Sequence, residues 1–189
     1  MIFDAMNDVF ARGGVQELTM DAISRQVGMS KRTVYTLFNS REGLLAEYLE
    51  QVSETFVRPL PAEATDWPLC QRLIAMLRPP ANPGAFDLSL AVLRILISIA
   101  PDHPNLARKV LASGRYRIET LVRLELIRAN ENGEITTADP HNAARLLCDM
   151  VRTDPLVTLL DPDQTIDWAG MTDRVDFAVG VFLDGIAAH

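Results

Sequence analysis

The residues from Thr19 to Phe38 must hold two separate helices within twenty positions, and that crowding constrains the fold more than any other feature of the chain. Thr19 offers an N-cap oxygen, and Asp21 follows in the first turn, where a negative charge complements the helix dipole. Gly28 supplies the freedom at positive φ with which helices stop, and Ser30 caps a second helix that runs only to about Leu37. Two short helices joined by a glycine-containing turn, the second opening with Ser30, Lys31, Arg32 and Thr33, form a helix-turn-helix. Two turns suffice for such a helix, because only its N-terminal residues lie along base edges in a major groove. Its positive dipole end favours the phosphates beside them.

The flanks supply the scaffold. Ile2, Met6, Val9 and Phe10 share one face of a helix over about Ile2 to Ala11, which ends at Gly13-Gly14. Ser40 caps a fourth helix that carries Leu44, Leu45, Tyr48, Leu49 and Val52. Ile23, Val27, Val34, Leu37 and Phe38 are expected in the core between these helices, and Met29 is expected to pack there too.

Charge is distributed to match. The net charge of −7 argues against nucleic-acid binding over the whole surface, yet Ala22 to Arg41 holds Arg25, Lys31, Arg32 and Arg41 with no acidic residue. All 25 acidic residues and 14 of the 18 basic ones lie outside that stretch. A small positive island sits on an acidic body.

Residues 2 to 49, IFDAMNDVFARGGVQELTMDAISRQVGMSKRTVYTLFNSREGLLAEYL, resemble the DNA-binding domain of the TetR family of bacterial transcriptional regulators. The resemblance rests on the Phe10 to Gly13 helix exit, Thr19, Ile23, the Gly28-Met29-Ser30 turn, Tyr35, Phe38, and Arg41 before Leu44-Leu45. It implies double-stranded operator DNA as partner and a contact set of Thr19, Arg25, Ser30, Lys31, Arg32, Thr33, Tyr35, Thr36 and Arg41. Tyr35, Arg41 and Thr19 match family positions that reach backbone phosphate and fix register rather than sequence. Thr33 and Thr36 can each reach phosphate or a base edge. Two departures stand out. The family usually carries basic residues just before its first helix, where this sequence begins, so either some phosphate attraction is missing or the start is truncated. Gly43 replaces the usual helix former in the fourth helix, at a predicted cost of about 1 kcal/mol relative to alanine.

Beyond Val57, prolines at 59, 61, 68, 79, 80 and 83 mark turns. Helices are predicted over about 67–77, 86–100, 105–130, 140–152 and 166–187, with Asp139-Pro140 as an N-cap followed by proline at the first helical position. No segment alternates like a half-buried strand, so the class is all-α. The resemblance implies a helix-turn-helix domain at 1–45 and a helical ligand-binding and dimerisation domain at 46–189. The helix 86–100 is apolar nearly all round and should be central. Its Arg94 is either a snorkelling side chain or an anchor for an anionic ligand. The six basic residues of 105–130 read as a solvated face, or else as a charged pocket wall. The resemblance implies a pocket for an unknown small-molecule effector, expected around Phe86, Leu90, Arg94, Ile97, Arg117, Leu121 and Met150. The apolar stripes of the last two helices predict a homodimer interface through Leu147, Val151, Val175, Val179, Phe182 and Leu183.

Other classes are poorly served. His103, His141 and His189 are scattered, and HExxH, GxGxxG, P-loop and nucleophile-elbow patterns are absent, so no enzyme, metal site or cofactor is expected. Cys70 and Cys148 lie 78 positions apart without a CxxC and read as free, partly buried thiols of a reducing compartment. No run is long and apolar enough to span a bilayer, no signal peptide is recognisable, and the expected location is cytoplasmic. The resemblance therefore implies a homodimeric repressor released from its operator by a small-molecule effector. The alternative is a protein-binding adaptor that keeps the fold without touching DNA.

Overall fold

A computed structural model of the protein describes residues 1–56, 59–79, 86–152, 155–161 and 167–186. It contains α-helices and a short 3₁₀ turn, with no strand among the described residues. The helices are α1 (Ile2–Glu17), α2 (Met20–Val27), α3 (Lys31–Phe38), α4 (Arg41–Phe56), α5 (Leu69–Leu77), α6 (Phe86–Ile99), α7 (Pro104–Ser113), α8 (Arg115–Glu131), α9 (Pro140–Val151), α10 (Pro155–Leu160) and α11 (Trp168–Ile186).

The local signals act where they were expected. Thr19 Oγ1 accepts from the Ala22 amide at 3.1 Å, Ser30 Oγ from Thr33 at 3.0 Å, and Ser40 Oγ from Gly43 at 3.0 Å. Each such cap contributes about 1 kcal/mol by satisfying an amide that the helix leaves unpaired. Gly28 closes α2 in the left-handed region at φ 73°. Asp139 Oδ1 accepts from the amides of His141 and Asn142, and these bonds hold its carboxyl below the usual carboxylate range. At Gly13 and Gly14 the backbone leaves helical geometry, with Gly14 at φ 69°, and a further turn of α1 follows the break.

The chain separates into two compact units, Met1–Ser53 with Gly84–Ser113, and Glu54–Pro83 with Gly114–His189. This is a different partition from the one at 45/46, and α6 is the reason. Leu88, Val92 and Leu96, each four residues apart, are buried in the same core as Met6, Val9, Ile23, Val34, Leu44, Leu45 and Tyr48. Among the described side chains of α6 only that stripe is fully buried, while Ile97 is 52% exposed, so their burial is one-sided. Phe3 packs its ring against Phe38 and Tyr48, with centroids 6.1 and 5.8 Å away, and fastens α1 to α3 and α4.

The predicted helix 105–130 is two helices. At Gly114 the backbone turns to φ −99°, ψ −90°, and α7 and α8 on either side belong to different units. α10 was not anticipated, and the ends of the last predicted helix at 166 and 187 lie outside the described residues.

The second unit packs α5, α8, α9 and α11 around Leu73, Val122, Leu126, Leu147, Cys148 and Val179. A charge is built into it. Arg72, only 3% exposed on α5, donates from Nε to Glu125 Oε1 at 2.6 Å, from Nη1 to the Trp67 carbonyl at 2.5 Å, and from Nη2 to both Glu134 oxygens at 2.9 Å. Glu125 stands on the buried stripe of α8 beside Val122, Leu126 and Ala129, where an unpaired carboxylate would be severely penalised.

Candidate nucleic-acid interface

Two side chains anchor α3. Val34 and Phe38, one turn apart, are buried, while Lys31, Arg32, Thr33, Tyr35, Thr36 and Leu37 are all exposed. The chain reaches this arrangement by punctuation at both ends: the Gly28 stop and Ser30 cap in front, and behind it Asn39 at φ 62°, whose amide donates to the Tyr35 carbonyl at 2.8 Å. Leu37, expected in the core, is 52% exposed, at the flank of the buried Val34–Phe38 line.

The predicted contact residues all fall in the first unit, but their polar atoms are differently occupied. Ser30 Oγ and Thr33 Oγ1 lie 2.7 Å apart, so both hydroxyls are engaged at the start of α3. Thr36 Oγ1 donates to the Arg32 carbonyl at 2.9 Å. Thr19 is exposed, its oxygen capping α2. Lys31 Nζ sits 2.9 Å from Asp21 Oδ1 on α2, and that hydrogen bond and charge raise the lysine above its ordinary range. Arg25 Nε donates to the Asp21 carbonyl at 3.4 Å. Among the described residues, Arg32 has no ion-pair partner and projects freely from the first turn.

Arg41 is half-buried, and its Nε donates to the Leu18 carbonyl at 3.0 Å. It therefore fastens the start of α4 to the residue ahead of Thr19, a positioning role that sequence reasoning did not assign. A second connection was also missed: Arg12 Nη2 donates to Gln26 Oε1 at 2.8 Å, and Gln26 Nε2 donates to Asp8 Oδ2 at 2.9 Å, tying α1 to α2. Arg12 and Arg25 both line an open cleft of about 490 Å³ between these helices, with Glu17 and Gln26. A polar residue pairing 14 or 18 positions away leaves no local pattern to read.

The predicted effector-pocket residues are divided between the units. Leu90, Arg94 and Ile97 lie on α6 in the first, and Arg117, Leu121 and Met150 in the second. Phe86 opens α6, and its side chain lies outside the described residues.

The residues predicted for the dimer interface pack within a single chain. Leu147, Val175, Val179 and Phe182 are buried inside the second unit, with Val151 and Leu183 packed at its margin. Within one chain α11 packs against α5 and α9, and α9 against α8, so these residues belong to its core. The apolar side chains left exposed on the same helices are Leu146 on α9 and Phe177 and Val181 on α11, with Phe177 at 74%.

No group of His, Cys, Asp and Glu suited to a metal ion occurs among the described residues, and no described helix is long and apolar enough to cross a membrane. Both cysteines are unpaired, Cys148 buried and Cys70 half-buried.

Residues 2–48 match the family described as bacterial regulatory proteins, tetR family, and residues 86–185 match the C-terminal domain of AefR-like transcriptional repressors. No curated protein matches the chain. Among solved structures, a TetR transcriptional regulator from Agrobacterium tumefaciens is similar over 100% of this chain and 93% of its own, at 26% identity and a TM-score of 0.68. The flavonoid-responsive regulator FrrA aligns over 98% and 95% at 22% identity and a TM-score of 0.64. A TetR family regulator from Pseudomonas syringae pv. tomato aligns over 100% and 95% at 24% and 0.60. With a helix-turn-helix at its N-terminus and the family's own C-terminal domain covering more than half its length, the chain belongs to the TetR family of bacterial transcriptional regulators.

Proposed function

We propose that the protein is a homodimeric repressor that holds double-stranded operator DNA through α3 and releases it when a small-molecule effector binds beyond α4. The observation that carries this reading is the exposure of every residue of α3 except Val34 and Phe38, with Lys31 and Arg32 in its first turn. A helix so placed has the shape and charge for a major groove. Repression is supported by the likeness of residues 86–185 to AefR-like transcriptional repressors. Effector control is supported by a relative of this fold that is described as flavonoid-responsive, although the likeness at 22% identity extends to fold alone.

Leu146, Phe177 and Val181 are the surface we assign to the dimer, since two exposed apolar helix faces on packed neighbours suit an isologous four-helix contact. Two-fold symmetry then calls for a pseudo-palindromic operator with half-sites about 34 Å apart or a multiple of that spacing. The effector acts only through its differential affinity for the DNA-competent and released states.

Footprinting on the DNA flanking the protein's own coding region tests the reading. Two protected half-sites one or more helical turns apart are expected, with affinity falling steeply as salt rises. Arg32→Ala should weaken operator binding while leaving thermal unfolding unchanged. Protection nowhere in that region at low salt would favour the adaptor.

A further inference from the structure

The acid-free run that contains the recognition helix begins one residue after Asp21, and Asp21 is the acid that pairs with a cation of that helix. Its carboxylate holds Lys31 Nζ at 2.9 Å, with both side chains more than half exposed, while its backbone carbonyl receives Arg25 Nε. In the first turn of α3 the two cations are thus unlike: Arg32 is without an ion-pair partner among the described residues, and Lys31 is bound to a neighbouring helix.

Resting on the reading that α3 binds operator DNA, we propose that Asp21 sets specificity by holding Lys31 against α2, so that the lysine passes only to an acceptor placed where the operator presents one. Random duplex offers phosphates at every register. A free lysine would neutralise one of them wherever the protein landed, strengthening binding that carries no sequence information. A lysine already paired has to exchange Asp21 for its new acceptor, and the exchange is favourable only when that acceptor lies within reach in the docked register. The Asp21 carboxylate, standing free after the exchange, repels phosphates in any register that brings them close. Asp21 is therefore a positioning residue acting through Lys31, and its cost falls chiefly on misplaced complexes.

A double-mutant cycle tests the proposal, using the full-length protein, the duplex protected in the footprint, and a random-sequence duplex of equal length. Asp21→Asn should tighten random-duplex binding about twofold to fivefold, the range of an exposed ion pair. It should also steepen the log–log salt dependence on that duplex by about 0.9, the increment for one more phosphate neutralised. Operator affinity should change less, so discrimination falls. Lys31→Ala should weaken only operator binding in the wild-type background, but weaken both in the Asp21→Asn background. Melting temperatures accompany each variant. Asp21→Ser, which keeps a polar oxygen in the first turn of α2, repeats the cycle if the asparagine variant melts early. Equal costs of Lys31→Ala in both backgrounds, with an unchanged random-duplex salt slope, would overturn the role of Asp21 while leaving operator binding intact. A wild-type protein that does not distinguish the two duplexes would overturn the DNA reading itself.

Discussion

Arg72 and Glu125, 53 positions apart, form an ion pair inside the second unit, with Nε 2.6 Å from Oε1 and less than a tenth of either residue exposed. Removing the cation alone leaves Glu125, among Val122, Leu126 and Ala129, with the longer contact to Arg128 Nη2 at 3.6 Å in place of its 2.6 Å partner, and releases Glu134. Arg72→Met is expected to destabilise the protein by about 3–5 kcal/mol in urea unfolding, and Arg72→Met with Glu125→Leu to recover most of that loss. Equal stability of the single and double variants would contradict it.

Gly43 reverses the sign predicted from helix propensity. A β-carbon there would lie 2.3 Å from the Phe38 carbonyl oxygen, a backbone atom fixed by the tight turn at Asn39. Gly43→Ala should therefore cost about 1–3 kcal/mol, as overpacking does, instead of gaining about 1 kcal/mol. Chemical denaturation distinguishes the two outcomes by direction alone.

The core and the proposed dimer face respond to different assays. Phe177→Asp with Val181→Glu should yield a monomer by sedimentation with its helical circular dichroism retained, because both side chains lie outside the core. Leu147→Ala should instead cost about 2–5 kcal/mol, as truncation of a fully buried leucine does. If the charged pair leaves sedimentation unchanged, the interface lies elsewhere.

Burial, reinforced by the negative charge of Glu119, pushes the Cys148 thiol from its ordinary 9.0 up to about 12. The folded state thus favours the protonated form. Its contribution is complete below about pH 9 and is lost as pH rises towards about 12, with a limiting slope of about 1.4 kcal/mol per pH unit. Cys148→Ala should be less stable at neutral pH, yet show a flatter decline in urea midpoint over that alkaline window. Parallel slopes for the two proteins would exclude this origin.

The sequence was most legible where structure is decided over three or four residues. Thr19, Gly28, Ser30, Ser40 and Asp139 mark helix ends by chemistry that each carries in its own side chain or backbone, and the structure uses all five as such. Legibility failed where the partner is distant. The periodicity of α6 revealed an apolar helix but not that its Leu88, Val92 and Leu96 stripe completes the core of α1 to α4. The stripes of α11 were correctly seen as apolar, but which one its own chain covers depends on α5 and α9. A lone glycine costs a helix only about 1 kcal/mol, so nothing local revealed that Gly114 ends one unit and opens another. Among the interface residues, the basic identities were readable, whereas the engagement of Lys31 by Asp21 and of Arg41 by Leu18 requires α2 and α4 to be in place.

The two-point attachment of α3 also bears on how such a protein can diverge. Because Val34 and Phe38 alone join the helix to its core, the six outward positions can be exchanged with little penalty to folding, and a duplicated copy could acquire a new binding sequence while its scaffold stays under unchanged selection.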